Sequence, residues 1–251
     1  MQHTFPMKQL EQLVASQATM NAAHFLALPV LALHLTAVPR IGPGAAGVAI
    51  RLFFAIARIG PLVTGPLADR MGPWQAFRAG LALRTLGFAV LPFVECVDGA
   101  YLASLVLGIG VALHEPAVYG ALGLAPEDKR DRLLMRHVQA LNFGCVLGPC
   151  LALFAGWSTT TSFLMAAVAT GLLTVWACMQ RMHRAPRSRS QVNGRKKAID
   201  WRYLAFAAAL VPFWALFAQL FSALPMLLAN AALLALPGSG TGSPRRCKIR
   251  S

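Results

Sequence analysis

The chain has 251 residues, 57% of them hydrophobic and 13% charged, and a formal net charge of +14. A soluble domain carries about 25% charged residues, and the mean hydropathy of +0.57 likewise points away from one. The 23 Lys and Arg cluster between apolar blocks, as cytoplasmic loops do, with no recognition motif beside them, so no nucleic-acid partner is expected.

The apolar blocks are long enough to cross a bilayer, which takes about 20 residues per helix. The polar start, MQHTFPMKQLEQ, is followed by no small-residue cleavage site, so the first helix is expected to be retained. Spans are expected at roughly 13–37, 46–67, 74–95, 100–122, 133–156 and 159–180. Pro29 and Pro149 lie inside spans, which membrane helices tolerate. Residues 181–200 are polar and basic and read as a mobile cytoplasmic linker able to meet anionic lipid. Residues 201–236 hold a seventh span from Trp201, with a short eighth left open. Residues 237–251 form an atypical basic tail. Either the eighth span returns this tail to the cytoplasm, or a frameshift or early stop has left it unshaped by topology.

Orientation follows from the loops. Arg70 and Arg78, the segment APEDKRDRLLMR, and the linker share one side, while Arg40, Glu95 and Asp98 share the other. The basic side should be cytoplasmic, with the N-terminus inside, in the cell (inner or plasma) membrane. Trp74, Trp176 and Trp201 fall near that interface, and Trp157 near the opposite one. Of the five cysteines none makes a CxxC pair, so no metal site or cofactor is expected. No nucleophile, zinc or phosphate-loop motif is present, which argues against an enzyme.

Between spans two and three stands GPLADRMGPWQAFRAG. Asp69 is placed to cap the N–H groups of span three and face its positive dipole end. Arg70 adds a cytoplasmic charge, Gly72 permits a positive backbone angle, and Gly65 lets another helix approach. Gly65, Leu67, Ala68, Asp69, Arg70 and Gly72 match the G-x-L-A-D-R-x-G signature, and by it the chain resembles the major facilitator superfamily. The family's two following basic residues are replaced by Pro73 and Trp74, leaving Arg78 as the nearest cation. In span five, Gly144, Gly148 and Pro149 resemble the G-x-x-x-G-P motif of the superfamily's antiporters, where small residues allow close helix packing and proline bends the helix. In span four, Ser104 stands where the family often has an arginine, and Glu115 before Pro116 looks like the drug:proton antiporter branch.

Ionisable residues at bilayer depth are costly and mark function by default. Arg58, Arg84 and Glu115 lie there, and Glu115 can pair with either arginine. In an apolar cavity such a carboxyl could exchange protons, which an adjacent arginine would oppose. Arg51 is close enough to the outer end to snorkel. Gln17, Asn21 and His24 make one polar stripe on span one, Gln139 and Asn142 another on span five, and both would line the family's central cavity. His34 looks interfacial.

The expected fold is an all-α integral membrane bundle. Residues 1–180 would form one six-helix half of a major facilitator, with the inverted pseudosymmetry the resemblance implies. The implied function is proton-coupled efflux of a small molecule, with substrate, protons and the lipid bilayer as partners. Because the expected spans fill one half and a fraction of the next, the chain reads as truncated and inactive alone. The alternative is a non-transporting membrane interaction protein, or a half-size transporter acting as a homo-oligomer or with a separate second half.

Overall fold

The computed structural model describes residues 6–38, 40–155 and 158–180, together with single positions between 201 and 227. The linker, the tail, Trp157, and the seventh and eighth spans apart from those positions lie outside the described residues. Among the described residues between 6 and 180, seven α-helices and one 3-10 turn follow one another: α1 (Met7–Ala37), α2 (Pro43–Ile59), α3 (Pro61–Met71), α4 (Pro73–Val90), the turn Leu91–Phe93, α5 (Val97–Gly123), α6 (Glu127–Ala155) and α7 (Thr159–Met179). No strand occurs among the described residues.

Among the described residues four helices, α1, α4 with its 3-10 turn, α5 and α7, are long and apolar enough to cross a membrane, and α2 with α3 makes a fifth. That fifth span, expected at roughly 46–67, is broken, and its two parts are bent by 52°. The break is chemical. Pro61 has no N–H to give and its ring obstructs the preceding turn. Gly60 supplies the room, because a Cβ there would stand 2.6 Å from the Ala112 side chain and collide with the Ile56 carbonyl. Across the break, the Thr64 hydroxyl donates to the Ala112 carbonyl of α5.

The stretch PEDKRDR, read from the sequence as a loop, is the opening of α6. Pro126 accepts the first helical bonds, from the amides of Lys129 and Arg130. Glu127 and Asp128 sit in the first turn, where carboxylates meet the positive helix end. α6 is not among the helices that qualify as spans on length and composition, although it carries no charge from Val138 to Ala155.

Contacts fix the relative directions. Glu11 meets Arg136, and Asn21 meets Leu141, so α1 and α6 run parallel. Gly80 lies against His114 and Gly87 against Leu107, so α4 and α5 are antiparallel. Arg78 meets Ala177 and Thr85 meets Thr174, so α4 and α7 are antiparallel as well. Lys8, Arg70, Arg78 and the basic residues opening α6 therefore gather at one end of the bundle.

Two apolar cores fill the interior. One includes Phe53, Phe88, Leu107 and Phe163, at the end away from the basic residues. The other includes Leu13, Phe77, Leu81 and Leu133, at the basic end. His34, expected at an interface, is buried in the first of these ends. Its ring bridges the Leu91 carbonyl at 3.0 Å and the Thr159 hydroxyl at 3.2 Å, joining α1 to the start of α7. Trp74, also expected at an interface, is buried and stacks on Phe77 with ring centroids 5.0 Å apart.

Candidate functional site

Polar groups converge where α1, α2, α4 and α5 meet between the two cores. Of the two partners open to Glu115, the ion pair within 4.0 Å is with Arg58 on α2, where Nη1 and Oε2 are 4.0 Å apart. Each side chain keeps 42% of its surface exposed, so the pair stands on an open flank of the bundle. Arg58 ends α2 just before the Gly60–Pro61 break, and that bend positions it beside α5.

Arg84 lies deeper. It is 4% exposed, and its Nε has no hydrogen-bond partner among the described residues. Its side chain lies over Gly110 of α5, where an added Cβ would fall 2.7 Å from Arg84 Cγ. No salt bridge joins it to Glu115. Ser104, at the position the family often fills with arginine, is buried with its hydroxyl unpartnered.

The stripe on α1 makes contacts with α2, α4, α5 and α6. Gln17 is 2% exposed, and its Oε1 lies 3.0 Å from Nε2 of His114, which is 2% exposed on α5. Asn21 donates to the Leu141 carbonyl of α6 at 2.6 Å. His24 sits among Phe25, Phe53 and Phe88, with ring centroids 5.3, 5.8 and 6.4 Å away. Neighbouring helices thus use these polar groups for packing. On α6, Gln139 and Asn142 are exposed.

His114 is the residue that sequence reasoning passed over. It immediately precedes Glu115, and about 100° per residue on a helix turns it inward while Glu115 stays on the open flank. Its ring lies against Phe77 at 5.0 Å. His137 on α6 was also passed over; it is buried edge-on against Tyr119. The available signal was a second polar residue beside Glu115 in an apolar run, with Gln17 at matching depth on another span.

The loop motif takes a different form from the one expected. Asp69 is not at the start of the next helix but in the last turn of α3, exposed, and Gly72 caps α4 with no side-chain hydrogen bond. The reason is that α3 continues to Met71, so the turn reduces to Gly72 with φ 90°, and Pro73 then opens α4. Gly65 faces open space, with nothing within 4 Å of an added Cβ, so it admits no close helix among the described residues. Leu67 and Arg70 are exposed and Ala68 is buried. Arg78 reaches α7 instead of the loop. Its Nε donates to the Ala177 carbonyl at 2.8 Å and its Nη2 to the Gln180 carbonyl, while its guanidinium carbon lies 5.6 Å from the Trp74 ring centre.

Gly144 and Gly148 press on the backbone of α1. An added Cβ at Gly144 would collide with the Ala18 carbonyl and stand 2.8 Å from the Ala22 amide. At Gly148 it would stand 2.5 Å from the Ala22 carbonyl. Pro149 lies inside α6, which continues to Ala155.

A family description, Major Facilitator Superfamily, matches residues 13–241. The chain belongs to the major facilitator superfamily. An uncharacterized MFS-type transporter of Mycobacterium tuberculosis, matched in two strains, is 32% identical over 230 residues, covering 85% of this chain and 52% of the relative. An uncharacterized MFS-type transporter of Bacillus subtilis is 29% identical over 158 residues, covering 62% of this chain and 38% of the relative. The chain thus spans about half the length of the first of these relatives, and less of the second. Among solved structures, a peptide transporter POT in complex with sulfate has a TM-score of 0.62 at 21% identity, covering 89% of this chain and 47% of that one. The POT family transporter PepTSo has a TM-score of 0.59 at 20% identity, covering 84% and 48%. At these identities the likeness establishes the fold. Superfamily membership makes the chain an integral membrane protein of a transporter family and not an enzyme.

Proposed function

We propose that this chain forms the coupling half of a proton-driven antiporter that exports a small, amphipathic molecule across the cell membrane, with its N-terminus and basic end in the cytoplasm. The carrying observation is the half-exposed Arg58–Glu115 pair on the open flank of α2 and α5. A carboxylate so placed can exchange its partner for a proton, and Arg58 can then shift toward a substrate or the opposing half. Drug:proton antiport is favoured by Glu115 preceding Pro116 and by the Gly144–Gly148 contact.

Alternating access rocks two bundles about a midplane site. The 251-residue chain spans about half of its relatives, so alone in liposomes it is expected to show no proton-driven efflux. The test of coupling therefore joins it with a second half, as a fused or co-expressed bundle from a relative. An imposed pH gradient should drive efflux, and Glu115→Gln should abolish the response to the gradient while leaving substrate binding. Gradient-driven efflux that survives Glu115→Gln would remove the proton role from this residue.

A second reading is a non-transporting interaction protein, or a transporter half that works as a dimer. The same flank favours it, because a half-exposed ion pair in a bilayer calls for a protein cover rather than lipid. A stable homodimer in mild detergent, dissociated by replacing Arg58, supports this reading.

A further inference from the structure

A cleft of about 190 Å³ opens at the basic end, between the first turns of α1 and α6, away from the Arg58–Glu115 flank. Its walls are Met7 and Glu11 from α1, and Lys129, Arg132, Leu133 and Arg136 from α6. One water needs only about 10–15 Å³ of such volume, so the cleft admits a much larger group. The four α6 residues recur at i, i+3, i+4 and i+7, which places them on one helical face. Glu11 engages Arg136 at 3.6 Å. Lys129 and Arg132 are exposed and form no salt bridge with a carboxylate among the described residues, so the cleft holds an excess of positive charge.

Depth decides what such a cleft meets. At about 1.5 Å per residue, the 29 residues of α6 span about 43 Å. The hydrocarbon core is about 30 Å thick. From Val138 to Ala155 the helix carries no charge, so the excess length falls at its beginning, and Lys129 to Arg136 stand in the headgroup layer. α1 runs parallel to α6 and brings Met7 to the same level. Met7 and Leu133 add apolar wall, which suits the glycerol and upper acyl region of a lipid better than a free ion.

The geometry points to a specific site for the phosphate headgroup of an anionic phospholipid, held by Lys129 and Arg132, with Arg136 positioned by Glu11. Bound there, the lipid ties the first turn of α1 to that of α6 at the membrane surface. The site is independent of the transport reading.

Native mass spectrometry of the full chain, released from micelles doped with phosphatidylglycerol or phosphatidylcholine, tests it. Phosphatidylglycerol should be retained in preference. The Lys129→Gln/Arg132→Gln variant should weaken that retention by about 5-fold for each cation removed. Arg40→Gln, at the opposite end, should leave it unchanged, and both variants should keep the wild-type thermal midpoint because the replaced side chains are exposed. Equal retention of the two lipids overturns the proposal. So does wild-type affinity in the double variant, which would assign the lipid to another basic segment such as 181–200. Displacement of phosphatidylglycerol by millimolar inorganic phosphate would replace the lipid by a soluble anion and equally overturns it.

Discussion

Gln17 of α1 and His114 of α5 are hydrogen-bonded at 3.0 Å, although 97 residues separate them, and both are buried. One residue further along α5, Glu115 is turned by about 100° and meets Arg58. The bond fixes the rotation of α5 about its axis, and that rotation sets where Glu115 points. Replacing Gln17 by Leu should destabilise the bundle by about 0.6–2 kcal/mol, the range of interhelical hydrogen bonds in membranes. The Gln17→Leu/His114→Phe pair should cost less than the sum of the single changes. A double-mutant cycle on thermal unfolding in detergent measures this, and strict additivity would deny the coupling.

Two glycines expected to do similar work should behave differently. Gly148→Ala puts a Cβ within 2.5 Å of the Ala22 carbonyl, so α1 and α6 must separate. A loss of about 1–3 kcal/mol is expected, as for overpacking elsewhere. Gly65→Ala meets nothing within 4 Å and should be stable to within about 0.5 kcal/mol. Unfolding midpoints of the two purified variants compare them directly.

Gly72 is a conformational requirement of another kind. Its φ of 90° is one that a side chain rarely adopts, though the space around it is open. Gly72→Ala should cost about 1–3 kcal/mol through backbone strain alone. Limited proteolysis should then cut faster between α3 and α4.

Arg78 closes the last turn of α7 through the Ala177 and Gln180 carbonyls. Arg78→Ala would leave part-buried carbonyls unpaired, at about 1–3 kcal/mol. Arg78→Lys should rescue little, because an ammonium lacks the planar fork that reaches two carbonyls while lying on Trp74. Faster amide hydrogen exchange at the end of α7 in both variants is the expected signature.

Hydropathy made the spans legible, since long uncharged runs such as Thr159–Met179 can hardly be anything else. It could not reveal helix that continues past the membrane, because the backbone of α6 stays helical through the six charged positions 127–132 that hydropathy counts as loop. The same blindness put Asp69 in a turn when it belongs to α3. The Gly60–Pro61 bend was hidden because membrane helices carry both residues without breaking, and only the press of Ala112 decides the matter. Arg58, Arg84 and Glu115 were recognisable one by one from the cost of charge in lipid. Their pairing depended on side-chain direction, which spacing along one helix does not specify. Gly144 and Gly148 were readable as close-contact positions, but the helix they touch was not.

The Asn21 bond to Leu141 bridges 120 residues of chain. α1 leaves the ribosome long before α6 exists, so its amide and the bare stretch of backbone around Ala18 and Ala22 enter the bilayer without their eventual cover. Until α6 arrives, the Asn21 amide is without the acceptor that holds it in the finished bundle. The order in which helices are made thus leaves one contact of α1 open until α6 is in place.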